Sequence, residues 1–254
     1  MAMNPNSPSP FVSVPKQGSP NLLFVLLHGE SANPEQLLPL AQAIRQAFPL
    51  ALIVLPYAFK NVSGTPGDGQ DGADYDWVDS AGLVQEAYAD RVAQATPLLI
   101  KQIQQIQAHY GLSGEQTALA GFSQGACMAL EASLAQPDLA GRVLAFSGLY
   151  ASLPGKAPPA TLLHFFHGVE DNQVSSDDVR FTLERLAELQ ADATLDEATG
   201  IGHELHSALI HQAIVRLQTC VPLRNWEAAL GALEAQAKEV PDDAPPDSSD
   251  RTLH

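Results

Sequence analysis

The pentapeptide Gly121-Phe122-Ser123-Gln124-Gly125 lies between a short apolar run, Thr117 to Ala120, and a stretch rich in Ala, Leu and Met, Ala126 to Ala135. The first suits a buried strand and the second a helix, and Pro137 stops that helix. A serine between a strand end and a helix start sits on a tight, strained turn. Glycines two residues to either side of it let neighbouring backbone approach without a Cβ clash. Such a turn pushes the Ser123 hydroxyl into the open and marks it as a candidate nucleophile in need of a base.

Apolar and helical stretches alternate along the rest of the chain. Residues 1–19 mix Pro, Ser and Asn and read as a flexible arm with an edge strand at Phe11 to Val14. Asn21 to His28 is nearly all apolar, as a central strand buried on both faces requires. Pro34 opens a helix over Glu35 to Phe48, and Ala51 to Leu55 is the next strand. Ala81 to Tyr110 is helical in pattern, with Pro97 marking a kink or a second start that Thr96 would cap. After the serine turn come strands at Arg142 to Phe146 and Thr161 to His167. A helix at Ser175 to Gln190, a last strand at Ala193 to Ala198 and a helix at Leu205 to Leu217 follow. This alternation predicts an α/β fold with a mainly parallel sheet, helices on both faces and ligands at the strands' carboxyl ends.

One catalytic domain over residues 20–221 is expected, followed by an accessory helix at 222–237 and a disordered acidic tail at 238–254. The loop from Tyr57 to Asp79 is too polar for a core and too long for a simple connection. Within it Trp77 reads either as a substrate-binding side chain or as packing that holds the loop to the body.

A formal net charge of −16 argues against nucleic acid and against docking on anionic membrane by charge alone. Cys127 and Cys220 show neither C-x-x-C nor metal-ligand spacing. A disulfide framework and a structural zinc site are therefore not expected, and a cytoplasmic setting is; no other metal and no cofactor are expected. The polar, proline-rich start lacks the pattern of a secretory signal, and Leu22 to Leu27 is too short to span a bilayer.

A serine hydroxyl needs a histidine to take its proton and a carboxylate to orient that histidine. Asp171 follows the strand ending at His167, with Glu170 as its rival. Asp196 and Glu197 fall in or at the end of the last strand and are weaker. His203 lies in the glycine-rich loop Gly200-Ile201-Gly202-His203 and has the freedom to reach the serine. His206, His211 and His109 read as helix residues, while His28 and His167, each at a strand end before glycine, read as structural hydrogen-bonding groups. The order Ser123, Asp171, His203 is that of α/β-hydrolases. The backbone N–H groups of Gln124, at the helix start, and of Glu30, after His28-Gly29, are the candidate oxyanion donors.

These segments resemble the acyl-protein thioesterase and carboxylesterase branch of the α/β-hydrolases, the phospholipase/carboxylesterase family. The resemblance rests on Leu26-Leu27-His28-Gly29, on Gly121 to Ala126 with Met128-Ala129-Leu130, and on Phe146-Ser147-Gly148. It rests also on His167-Gly168 leading to Asp171 and Val174, and on Gly202-His203-Glu204. Gly148 to Pro154 looks like small bacterial esterases within it. The resemblance implies an α/β-hydrolase fold with a minimal cap, Ser123 as nucleophile, Asp171 as orienting acid, His203 as base, and Glu30 and Gln124 as oxyanion donors. Family members usually carry a hydrophobic residue and a glycine after His-Gly, where this chain has Glu30-Ser31, so the acyl-pocket shape does not carry over. The expected activity is hydrolysis of carboxylic esters with short acyl chains. The substrate is a small-molecule ester or thioester, and homodimer formation is left open. A thioesterase is the nearest alternative and a non-catalytic binding protein the rival of another class.

Overall fold

The computed structural model describes residues 9–62, 73–79, 82 and 84–219. The helix expected at 222–237, the tail at 238–254, the first eight residues and the middle of the long loop lie outside the described residues. In chain order the strands and helices are β1 (Phe11–Ser13), β2 (Leu22–Leu27), α1 (Leu38–Ala47, entered by a 3₁₀ turn at Pro34–Leu37), β3 (Ala51–Leu55), β4 (Lys60–Asn61), β5 (Tyr75–Asp76) and α2 (Gln85–Tyr110). They continue as β6 (Thr117–Phe122), α3 (Gln124–Ala135), β7 (Arg142–Phe146), β8 (Leu162–Gly168), α4 (Ser176–Glu188), β9 (Ala193–Ala198) and α5 (Ser207–Thr219).

Seven strands form one sheet in the order β1-β3-β2-β6-β7-β8-β9. Only β1 runs antiparallel among these pairings. Because successive side chains point to opposite faces, the inner strands feed two cores. Leu23, Val25, Leu27, Leu52, Val54 and Leu119 join a core with residues of α2, α3 and α4. Phe24, Leu26, Ile53, Leu55, Ala118 and Ala120 join another with α1 and α5. The continuous apolar character of β2 is thus the signature of burial on both faces.

Three expectations are corrected. The helix α2 runs unbroken through Pro97, and Thr96 is no cap: its hydroxyl donates to the Val92 carbonyl, one turn back, at 2.7 Å. Buried Val92, Ala95, Leu99, Ile103 and Ile106 hold this helix to the core on both sides of the proline and offset the missing bond. His206 does not lie on α5 but before it, where its Nδ1 accepts from the Ala208 N–H at 3.2 Å. Finally, part of the segment expected to be a loop is ordered as the antiparallel pair β4 and β5.

Two histidines are fully buried within this architecture, His28 at the end of β2 and His164 in β8. Burial, the largest cause, lowers each from 6.5 to about 4. The folded chain therefore refuses protons that the unfolded chain accepts between pH 6.5 and about 4. Stability must fall as pH drops through that window, by about 2 kcal/mol for each histidine near pH 5. A urea midpoint lower at about pH 5 than at about pH 7.5 is the expected result, and an equal or higher one would contradict it.

Candidate active site

Ser123 caps α3 at φ 52° and ψ −117°, a backbone conformation that a non-glycine residue adopts only under constraint. Its neighbours explain how the turn is built. A Cβ on Gly121 would overlap the backbone of Gly125, and one on Gly125 would overlap the carbonyls of Leu27 and His28. The first turn of α3 therefore rests directly on the end of β2, and the serine stands at the sheet's carboxyl edge.

Asp171 follows β8, and its side chain is fully buried. Burial alone would raise its pKa. The Val174 and Gln173 N–H groups, both donating to Oδ1, together with His203 outweigh that and hold it below the ordinary carboxylate value. His203 Nδ1–H donates to Asp171 Oδ2 at 2.8 Å. This contact fixes the tautomer and leaves Nε2 as the basic nitrogen. The imidazole packs on Phe122, the residue before the serine, with ring centroids 4.9 Å apart. No hydrogen bond joins Ser123 Oγ to Nε2 among the described residues; such contacts tighten when substrate is bound.

The rival carboxylates are occupied elsewhere. Glu170 accepts from the Ile201 N–H at 3.0 Å and so ties down the loop that carries His203. Gly168 allows this loop to approach, since a Cβ there would overlap the carbonyls of Ile201 and Gly202. Asp196 is paired with Arg216 and Glu197 with Arg180.

The two structural histidines order the same edge. His28 Nδ1–H donates to the Gly29 carbonyl at 2.8 Å and its Nε2 accepts from the Ala58 N–H at 3.1 Å, an arrangement that requires a neutral ring. His167 Nε2–H donates to the Val174 carbonyl at 3.0 Å, which braces the turn around Asp171.

Glu30, Ser123 and Gln124 line one cleft of about 520 Å³. The turn that carries Glu30 is held from both sides: Gly29 N–H donates to Gln36 Oε1 at 2.7 Å, and Ser31 N–H donates to Asp76 Oδ1 at 2.6 Å. Gln124, as the first residue of α3, has an N–H with no partner inside the helix. Its side chain performs a second task. Oε1 accepts from the Trp77 and Val78 N–H groups at 2.7 and 3.2 Å, and Nε2 donates to the Val78 carbonyl at 3.1 Å. The segment from Tyr75 to Val78 is thereby stitched to the serine turn and, through Asp76, to the Glu30 turn.

Trp77 itself does not line this cleft, which corrects its reading as a substrate-binding residue. It is 2% exposed, donates from Nε1 to the His28 carbonyl at 2.9 Å and stacks edge-on with Phe59. Sequence reasoning missed Asp76 and the amide of Gln124. The only signal was a polar residue inside an aromatic run, because Asp76 and its partner Ser31 lie 45 positions apart. Among the described residues no cluster of three or more His, Cys, Asp or Glu is placed to hold a metal ion. No described helix is long and apolar enough to cross a membrane.

A parallel sheet that delivers a strained serine and a loop-borne Asp–His pair to its carboxyl edge defines an α/β-hydrolase. The profile of the Phospholipase/Carboxylesterase family matches residues 8–221, and the chain belongs to that family, whose members hydrolyse esters. Esterase YpfH of Escherichia coli (strain K12) is 34% identical over 208 residues, 82% of this chain and 87% of that one. Among solved structures, esterase PE8 superposes with a TM-score of 0.73 at 28% identity, covering 84% of this chain and 99% of its own. The Bacillus cereus carboxylesterase shares the fold at 17% identity, with a TM-score of 0.65 over 83% of this chain and 93% of its own. This chain is accordingly an esterase of the α/β-hydrolase class.

Proposed function

We propose that the protein cleaves carboxylic esters with short acyl chains through an acyl-Ser123 intermediate, within a catalytic domain spanning residues 20–221. The observation that carries this reading is the Asp171–His203 hydrogen bond of 2.8 Å on an imidazole packed against Phe122, beside the strained Ser123 turn. In this mechanism Nε2 of His203 takes the proton of Ser123 as Oγ attacks the ester carbonyl. The tetrahedral oxyanion that forms is met by the N–H groups of Glu30 and Gln124. As the C–O bond breaks, the imidazolium returns its proton to the leaving alcohol, and Asp171 stabilises the charge on the ring throughout. Water then enters, gives a proton to His203 and attacks the acyl carbon; as the bond to Oγ breaks, the imidazolium passes that proton to Ser123, which releases the acid and restores both residues.

The cytoplasm is the compartment that fits a chain with a buried free Cys127 and no cysteine spacing that suggests pairing. The substrate preference is tested by kcat/KM for p-nitrophenyl butyrate, palmitoyl-CoA and an acylated peptide. Butyrate is expected to be preferred by about tenfold or more, because the polar lining of the cleft offers a long hydrocarbon chain little apolar contact. A preference for palmitoyl-CoA or the acylated peptide would overturn the short-chain ester assignment in favour of a thioesterase.

A further inference from the structure

The cleft beside Ser123 is poorly suited to a hydrocarbon chain. Its aliphatic side chains among the described lining residues are Leu149 and Val174, whereas Gln85, Tyr88, Tyr150 and Gln173 bring hydrogen-bonding groups. Burial raises both the Tyr88 hydroxyl and the Cys127 thiol, the thiol to about 12, so both remain neutral. Glu131 stands behind them, accepting from the Ala151 N–H at 2.8 Å and adding to the cost of ionising Tyr88, Cys127 and Tyr150. The Gln85 amide is oriented by a 2.6 Å bond from Nε2 to the Ala151 carbonyl, which leaves Oε1 as its acceptor end. The Tyr150 hydroxyl is buried with no hydrogen-bond partner among the described residues and is itself closed to solvent, so the acceptors and donors open to a substrate are those of Gln85, Tyr88 and Gln173.

Charge adds a second constraint. Glu30 and Asp178 are the charged residues of the described lining, which holds no lysine or arginine. An alkyl chain entering here would strip water from amide and phenol groups and return no hydrogen bond, and an anionic group would lie near the Asp178 carboxylate.

We infer that the part of the ester entering this cleft is short and carries an uncharged hydrogen-bonding group, a hydroxyl or an amide, and that anionic esters are disfavoured there. This rests on Ser123 being the nucleophile and narrows the substrate class of that same site. Sites that hydrogen-bond a substrate group discriminate strongly against analogues lacking it, whereas apolar pockets discriminate weakly.

Three p-nitrophenyl esters of equal chain length test it: hexanoate, ω-hydroxyhexanoate and the adipate monoester. Each kcat/KM is divided by the rate constant for hydroxide hydrolysis of the same ester, which removes intrinsic reactivity. The hydroxy ester is expected to exceed hexanoate by about tenfold and the adipate ester to fall below it by about tenfold. Tyr88→Phe should shrink the preference for the hydroxyl and Asp178→Asn should raise adipate relative to hexanoate, with thermal unfolding checking that each variant folds. Gln85→Leu is the second probe of the hydroxyl preference should Tyr88→Phe fail to fold. A hydroxy ester no better than hexanoate, or an adipate ester equal to it, would overturn the inference. Turnover of none of the three would instead overturn the reading of Ser123 on which it rests.

Discussion

Ser123→Ala is expected to lower kcat for p-nitrophenyl butyrate by about 10⁵-fold or more, with KM changed by less than about threefold. The size follows from what the hydroxyl does. Without Oγ no acyl-enzyme forms, so the oxyanion donors and His203 retain only the small acceleration available to a direct attack by water. The fold should survive, because the strain of the turn lies in the backbone at φ 52° and is set by Gly121 and Gly125 rather than by the hydroxyl. A loss smaller than about a hundredfold would mean that another group supplies the nucleophile.

His203→Ala should cost a comparable factor, about 10⁵-fold in kcat, since a serine hydroxyl without a base is a poor nucleophile at neutral pH. The nearby His206→Ala should retain more than about half of the activity. The distinction comes from contacts: His203 is held by Asp171 at 2.8 Å and packs on Phe122, whereas His206 is spent on the start of α5, accepting from the Ala208 N–H. Equal losses in the two variants would remove the grounds for choosing between them.

The Ser123 turn was legible because it combines a steric demand with an unmistakable context, an apolar strand before it and an Ala-rich helix after it. The parallel sheet was legible for the same kind of reason: runs such as Leu22–Leu27 must be buried on both faces, and only a covered sheet permits that. Asp171 and Glu170 were harder to separate from sequence alone, since both stand in one loop. Geometry distinguishes them, with Asp171 turned to His203 and Glu170 to the Ile201 N–H. Thr96 was misread as a cap, and Trp77 was left between two readings, for one shared reason. Local pattern treats a Thr before Pro as a cap and cannot choose between ligand contact and packing for an aromatic in a polar loop; the helix running on through Thr96 and the burial of Trp77 against the His28 carbonyl decided them. The clamp formed by Asp76 and the Gln124 amide had no local signature at all, because each member reaches a partner more than forty residues away.

The central claim is that the chain acts through a covalent intermediate on one serine, and a fluorophosphonate probe followed by peptide mass mapping tests it most directly. A single adduct on Ser123 is expected in the wild type, forming more slowly while excess p-nitrophenyl butyrate is present and absent from Ser123→Ala. No adduct on the folded wild type, or an adduct on a different residue, would contradict it.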